Sequence, residues 1–268
     1  MHTWIPAERN LAYLTWKQVE AIDKRDALIV LPTAAIEQHG HHLPIATDTL
    51  INNLLLGQAF KHIPADAPIW VLPPVCYGKS NEHIGFAGTM SLSASTFMAV
   101  LHDLGASIHA SGFKKLCLYN THGGNTALDD VMARDLRAEF NLRTFYLSGG
   151  AGAAATGLKP QERAYGFHAG EWETSLLLAA TPQLVHPDHY TSNYIAHIDN
   201  PKPLLPEFAP ATFSWLTRDI APSGVMGDPR PATAESGVRW IDEASTKVAA
   251  ALQAMLDFEE LVAPTESA

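Results

Sequence analysis

Cysteine is scarce in this chain. Only Cys76 and Cys117 occur in 268 residues. They lie far apart, each in an apolar stretch, and neither belongs to a CxxC pair. This excludes a disulfide scaffold and a cysteine-rich zinc module, and it predicts two reduced core thiols in a cytoplasmic protein. Basic residues are also few: Lys and Arg total 18 against 28 Asp and Glu, a formal net charge of −10. No basic run reverses that balance locally, so neither nucleic acid nor an anionic membrane surface is an expected partner. No apolar run approaches the roughly 20 residues that a membrane span needs. The segment Met1-His-Thr-Trp-Ile-Pro6 lacks the basic and apolar regions of a signal peptide, so none is expected. Internal repeats are absent. What remains is the composition of an ordinary globular protein, 47% hydrophobic and 17% charged. Residues 1–268 are enough to bury the core of one α/β domain.

Patterning supplies the elements. Thr15 to Asp23 reads as a short helix. Ala27-Leu-Ile-Val-Leu-Pro32 is a continuous apolar run, as a strand buried on both faces should be. Helical spacing follows Asp48, with Ile51, Leu54 and Leu55. Trp70 to Val75 is a second strand, shortened by Pro73 and Pro74. Ser93 is placed to cap a helix with Phe97, Val100, Leu101, Leu104 and Ile108 on one face. Leu116 to Tyr119 and Arg143 to Leu147 are further strands, separated by a helix marked by Leu128, Val131, Met132 and Leu136. Glu171 to Ala180 is helical and stops at Thr181-Pro182. Ala234 to Leu261 is a long helix with Val238, Ile241, Val248, Leu252, Met255 and Leu256 as its buried stripe. Strands alternating with helices predict a three-layer α/β/α sandwich on a mostly parallel sheet. Residues 182–231 are rich in proline and lack long periodicity, which predicts an ordered loop excursion, an interface arm or a lid. Gly149 to Gly157 is a small-residue stretch beside the proposed site in strand order.

Three acid/histidine clusters sit where strands or loops hand over to helices. They are Glu37-Gln-His39-Gly-His41-His42 running on to Asp48, Asn120-Thr-His122-Gly-Gly-Asn125, and His168-Ala-Gly-Glu171-Trp-Glu173-Thr-Ser175. Glu37 and His39 follow a buried strand and are two apart, so in extended chain both aim the same way. Asp48 opens the next helix, and His122 follows another strand at the equivalent level. All would meet above the carboxyl end of the sheet, where open α/β folds place ligands. Gly123 and Gly124 would let the backbone pass close to a ligand. Singly, each residue has a plainer reading. A lone buried histidine is usually a hydrogen-bonded core residue, and Asp48 or Glu171 at a helix start is usually a cap. Convergence of carboxylates and imidazoles on one rim is what points to a catalytic zinc, manganese or iron site. His41 and His42 read equally as surface residues or as groups near a substrate.

The segment from Glu37-Gln-His39 through Leu-Pro to Thr-Asp48 resembles the signature of the creatininase (creatinine amidohydrolase) family. Asn120 with His122-Gly-Gly-Asn125 resembles its second motif, and His168-Ala-Gly-Glu-x-Glu-Thr-Ser its third. Tyr77-Gly78 through Glu82-His83 to Gly88-Thr89, and Gly224-Val-x-Gly227-Asp228-Pro229 leading to Gly237, are also similar. The likeness runs from about Leu14 to Leu261. It implies a two-metal amidohydrolase on an α/β/α sandwich, assembled as a homo-oligomer and often a hexamer, acting on a small-molecule substrate. Carried over, Asp48 bridges two divalent ions (Zn, Mn or Fe), Glu37 and His122 hold one, and His39 holds the other. Creatininase itself has a glutamate where this chain has Gly124. Glu171 is taken as its replacement, with Glu173 in a supporting role or as a helix N-terminal charge. His168 matches the proton shuttle, and His83 and Trp172 are candidates for the substrate wall.

The implied reaction is cleavage of a C–N bond in a small amide, cyclic amide or formamide by a hydroxide shared between the ions, with His168 protonating the leaving nitrogen. Creatinine itself is not expected. The positions aligned with the tryptophans that cover its ring fall near Gly150 and Ala164, and neither is aromatic. Other branches of the family remove a formyl group from a pyrimidine or a dipeptide from a precursor peptide. A metal-dependent lyase or isomerase acting on a carbonyl, or a non-catalytic metal-containing scaffold, would use the same residues differently.

Overall fold

The computed structural model describes residues 4–149, 155–195, 204–205 and 211–259. Its centre is a four-stranded sheet in the order β2-β1-β3-β4. The strands are β1 Leu28–Thr33, β2 Ile69–Val71, β3 Lys115–Asn120 and β4 Arg143–Ser148. Every pairing is parallel, with Val30 opposite both Val71 and Cys117. All six residues of β1 are buried, which explains its unbroken apolar run. Leu28 and Val30 face one side and Ile29 and Leu31 the other.

Two helical layers cover those faces. On one side α2 (Thr47–Ala59) and α8 (Ala234–Asp257) pack on the sheet through Leu56, Ala59, Val248 and Leu252. On the other, α3 (Ala94–Ala110) and α4 (Thr126–Phe140) contribute Phe97, Leu101, Met132 and Leu136. The result is the expected three-layer α/β/α sandwich. A third apolar cluster joins α2 and α8 to α6 (Glu171–Ala180) through Leu50, Leu55, Leu176, Leu177 and Trp240. Nearly all of α2 is buried, because it lies between the sheet and the α6–α8 pair. Ser93 caps α3 as its sequence predicts, accepting from the Thr96 amide at 3.1 Å.

Several expectations need adjustment. β2 stops at Val71, ahead of Pro73 and Pro74, and only Val75 returns to the sheet through a bridge to Thr33. The short helix near Thr15 is α1 (Trp16–Glu20). Val238 is 63% exposed rather than part of the buried stripe; Gly237 and Trp240 are the buried residues of that turn of α8, where it meets α6. Val131 is likewise exposed. Cys117 is a core thiol, whereas Cys76 is half-buried. The 182–231 excursion contains 3-10 turns at Pro182–Leu184 and Pro187–His189, the two-residue strands β5 (Leu204–Leu205) and β6 (Ala211–Thr212), and α7 (Thr217–Ile220). The last helix, expected to run to Leu261, ends at Asp257; Gly150 to Ala154 and residues 260 and 261 lie outside the described residues. No helix among the described residues is long and apolar enough to cross a membrane.

Candidate metal centre

Four backbone features bring the clusters together. The chain leaving β1 carries Glu37 and His39, and the Glu37 amide is tied to the Ile45 carbonyl at 2.9 Å. Asp48 lies in the first turn of α2. His122 follows β3, and the Asn120 side chain clamps it by accepting from the His122 amide (3.0 Å) and donating to its carbonyl (2.7 Å). His168 pairs with Met226 in an antiparallel bridge just ahead of α6. Glu37, His39, Asp48, His122 and His168 are all buried, although a lone buried charge is costly.

The contacts are dense. Asp48 faces two imidazoles, with Oδ1 3.4 Å from His39 Nε2 and Oδ2 3.3 Å from His122 Nδ1. Glu37 Oε2 lies 3.3 Å from the same His122 nitrogen. Glu173 Oε1 completes the other side, 3.9 Å from His39 Nε2. Among the described residues, overlapping sets drawn from Glu37, His39, Asp48, Glu82, His83, His122, His168 and Glu173 place their donor atoms within 4.8 Å of one another.

Burial and mutual charge set the protonation states. Burial opposes charge on His39, but Asp48, Glu173 and Glu37 outweigh it and hold the ring up at about 9. Burial opposes charge on His122 too, and Glu37 and Asp48 raise it well above the ordinary value. Burial alone would raise Asp48, yet His39 and His122 pull it far below the usual carboxylate range. Glu173 is pushed up to about 7, chiefly by burial and despite His39. His168 is lowered well below its ordinary value by burial, with His39 and His83 adding to it. Strongly perturbed groups gathered at one place mark a functional site more often than a structural one.

Glu171 does not join the group. Its amide donates to Glu162 Oε1 at 2.8 Å, and its carboxyl is raised by burial and by the Glu162 and Asp228 charges. Residues two apart on a helix point to different faces, so α6 can aim only one of its two glutamates at His39. That residue is Glu173, whose Oε2 also accepts from the Ala169 amide at 2.5 Å. The metal-ligand candidate taken from the sequence is Glu171; the structure brings Glu173, not Glu171, to His39. Trp172 is half-buried against the apolar cluster of Leu50 and Trp240, so its surroundings are core packing. His83 is buried beside Glu37, with Nε2 3.3 Å from Oε1. His42 is buried and bonded to Thr174 Oγ1 at 3.0 Å, while His41 is exposed.

Glu82 carries a signal that sequence reasoning missed. Its Oε1 lies 3.5 Å from His122 Nε2, and a Cβ on Gly124 would collide with Glu82 Oε1 and the Lys79 carbonyl. Gly124 is thus needed for this close approach, whereas Gly123 faces open space. Glu82 directly precedes His83 in a motif-like segment, which is the only sequence hint of its place.

Whether the residues fit a cation can be read from unpartnered atoms. Glu37 Oε2, His39 Nε2 and Asp48 Oδ2 are buried without a hydrogen-bond partner. Such atoms are rare in native proteins and need an explanation. Carboxylate oxygens and imidazole nitrogens facing one another form a donor set suited to divalent zinc, manganese or iron.

Residues 12–252 match the family described as creatininase, creatinine amidohydrolase. A mycofactocin precursor peptide peptidase from Mycobacterium ulcerans (strain Agy99) is 34% identical over 231 residues, covering 82% of this chain and 84% of the relative. A creatinine amidohydrolase from Pseudomonas putida is 30% identical over 241 residues, covering 83% and 85%. A solved structure described as creatininase Mn superposes with a TM-score of 0.72 at 25% identity, covering 93% of this chain and 99% of that one. The sandwich, the converging motifs and these likenesses agree: the chain belongs to the creatininase family and is a creatininase-family amidohydrolase.

Proposed function

We propose that the protein holds two divalent ions and uses them to cleave the C–N bond of a small amide, cyclic amide or formamide other than creatinine. The observation that carries this reading is the placement of Asp48, whose two oxygens each face a different imidazole. Glu37, His122 and Asp48 would hold one ion, and His39, Glu173 and Asp48 the other, as Zn, Mn or Fe. When bound, divalent ions act as Lewis acids and lower the pKa of water from about 15.7 toward about 7.

His168 suits the proton-transfer role. Its Nε2 lies 2.6 Å from the Gln38 carbonyl. A carbonyl only accepts, so the N–H is spent there and Nδ1 is left with its lone pair. Nδ1 lies 3.7 Å from Glu37 Oε1, turned toward the centre. A neutral ring held this way can take a proton as water attacks the amide carbon and return it to the leaving nitrogen. Against creatinine stands Ala164, exposed on α5 (Pro160–Tyr165), where the resemblance places a ring-covering tryptophan. A second reading, a peptide amide as substrate, is favoured by the 34% identity to a mycofactocin precursor peptide peptidase. The same reading takes the chain as a homo-oligomer, with a hexamer expected, in a reducing cytoplasm that suits its two free thiols.

The test is a screen of Mn- and Zn-loaded protein against cyclic amides, formamides, ureas, guanidines and short peptides, read by product mass. An amine and an acid should appear from one class. His168→Ala should keep its ions and lose about 10²- to 10⁴-fold in kcat, with a smaller loss for leaving groups that need no proton. Absence of C–N cleavage across the panel refutes the hydrolytic reading, and cleavage of peptides alone selects the second one.

A further inference from the structure

Four imidazoles converge on the centre, and three share one bonding pattern. His39 Nδ1 lies 3.1 Å from the Glu37 carbonyl, His122 Nε2 3.0 Å from the Lys79 carbonyl, and His168 Nε2 2.6 Å from the Gln38 carbonyl. In each ring the outer nitrogen donates to a backbone acceptor and the other nitrogen faces the centre. His83 is the reverse. Its outer nitrogen, Nδ1, is met by Gln38 Nε2 at 2.8 Å and by Thr217 Oγ1 at 2.9 Å.

The orientation of the Gln38 amide is not free. Its Oε1 accepts from the Gly40 amide at 2.9 Å, and its Nε2 donates to the Gly224 carbonyl at 3.0 Å. Both partners are backbone groups with fixed roles. Gln38 therefore presents a donor to His83 Nδ1, and that nitrogen must accept. A neutral ring whose Nδ1 accepts carries its proton on Nε2. That nitrogen lies 3.3 Å from Glu37 Oε1.

We propose that His83 is a positioning residue: its Nε2–H holds Glu37 Oε1, so that Glu37 Oε2 stays aimed at the His122–Asp48 side of the centre. Protonated at Nε2, His83 is neither a third ligand with Glu37 and His168 nor a bare wall of the substrate pocket. The device also gives the 182–231 excursion a task, since Gly224, which orients the Gln38 amide, and Thr217, which packs its hydroxyl against His83 Nδ1, both belong to it.

This inference rests on the metal reading above, and the experiment separates the two. Affinity for Zn²⁺ and Mn²⁺ is measured by chelator competition on the full chain, together with ion count and thermal stability without metal. His83→Leu should weaken one ion by about 10- to 100-fold, the usual effect of losing a group that orients a ligand, while still binding two ions at saturation. His83→Gln, which offers an amide N–H near the position of Nε2, should recover most of that loss. Equal loss in both variants, or none in His83→Leu, overturns the positioning role. Wild-type protein that binds no ion refutes the metal reading itself. If the leucine variant does not fold, ring ¹⁵N resonances of the wild type decide. A protonated Nε2 with bare Nδ1, unchanged on adding Zn²⁺, supports the role; a protonated Nδ1, or an Nε2 shifted by metal, overturns it.

Discussion

Glu171 and Glu173 share one turn of α6 but have opposite surroundings. Glu173 looks into the centre at His39, while the Glu171 amide is tied to Glu162 on the far side. Glu173→Gln should therefore reduce occupancy to one ion per chain after dialysis, and Glu171→Gln should keep two; elemental analysis giving the opposite ranking would return the role to Glu171. A second residue-scale prediction concerns Asp129 on α4. It is fully buried, its Oδ2 accepts from Thr33 Oγ1 at 2.9 Å, and its Oδ1 has no hydrogen-bond partner. Burial pushes this carboxyl up to about 7, with the Thr33 hydroxyl opposing. Its unfolded value is about 3.9, so between these values the folded chain binds the extra proton. Stability from this group is present at low pH and is lost as pH rises toward and past 7, by a few kcal/mol at most. Asp129→Asn removes the titration. Its stability relative to wild type, measured by urea denaturation without metal, should improve steadily from pH 4 to pH 8, and a difference independent of pH would contradict the assignment. None of this was legible in the sequence, where Asp129 is an unremarkable acidic residue near a helix start.

At the scale of elements, α6 connects packing to chemistry. It carries Glu173 and follows His168, and it is held by α8 through the close approach of Gly237 to the Ser175 carbonyl. An alanine at 237 gains about 1 kcal/mol in helix propensity, but its Cβ would meet backbone, which cannot swing aside. Overpacking of this kind costs about 1–3 kcal/mol or more. Gly237→Ala should therefore lower Tm by a few degrees and weaken metal binding together, because α6 moves as a unit. Unchanged Tm with unchanged affinity would show that the contact relaxes at no cost. Elements were legible wherever both faces of a strand are buried, as in β1, or a helix has one apolar stripe, as in α3. The pattern failed where burial comes from another helix. Gly237 gives no hydrophobic signal yet is buried, and Val238 gives one yet is exposed.

At the scale of the whole molecule, the sheet places the ends of β1 and β3 side by side, with Thr33 opposite Asn120. That adjacency brings Glu37 and His39 to His122 across more than 80 positions of sequence. The motifs named most of the residues that meet, because acid/histidine clusters at strand ends are visible one at a time. They could not show which nitrogen of each ring points inward. For His83 that is settled by Gln38 and by Gly224 on the distant excursion. Nor could they show that the space beside Gly124 is filled by Glu82. The central claim is that Asp48 is shared between two ions, and metal counting tests it most directly. Wild-type protein loaded with Mn²⁺ or Zn²⁺ and dialysed should carry two ions per chain, and Asp48→Ala should carry none. A fully active wild type with a single ion, or an Asp48→Ala variant that loses only one of two, would contradict it.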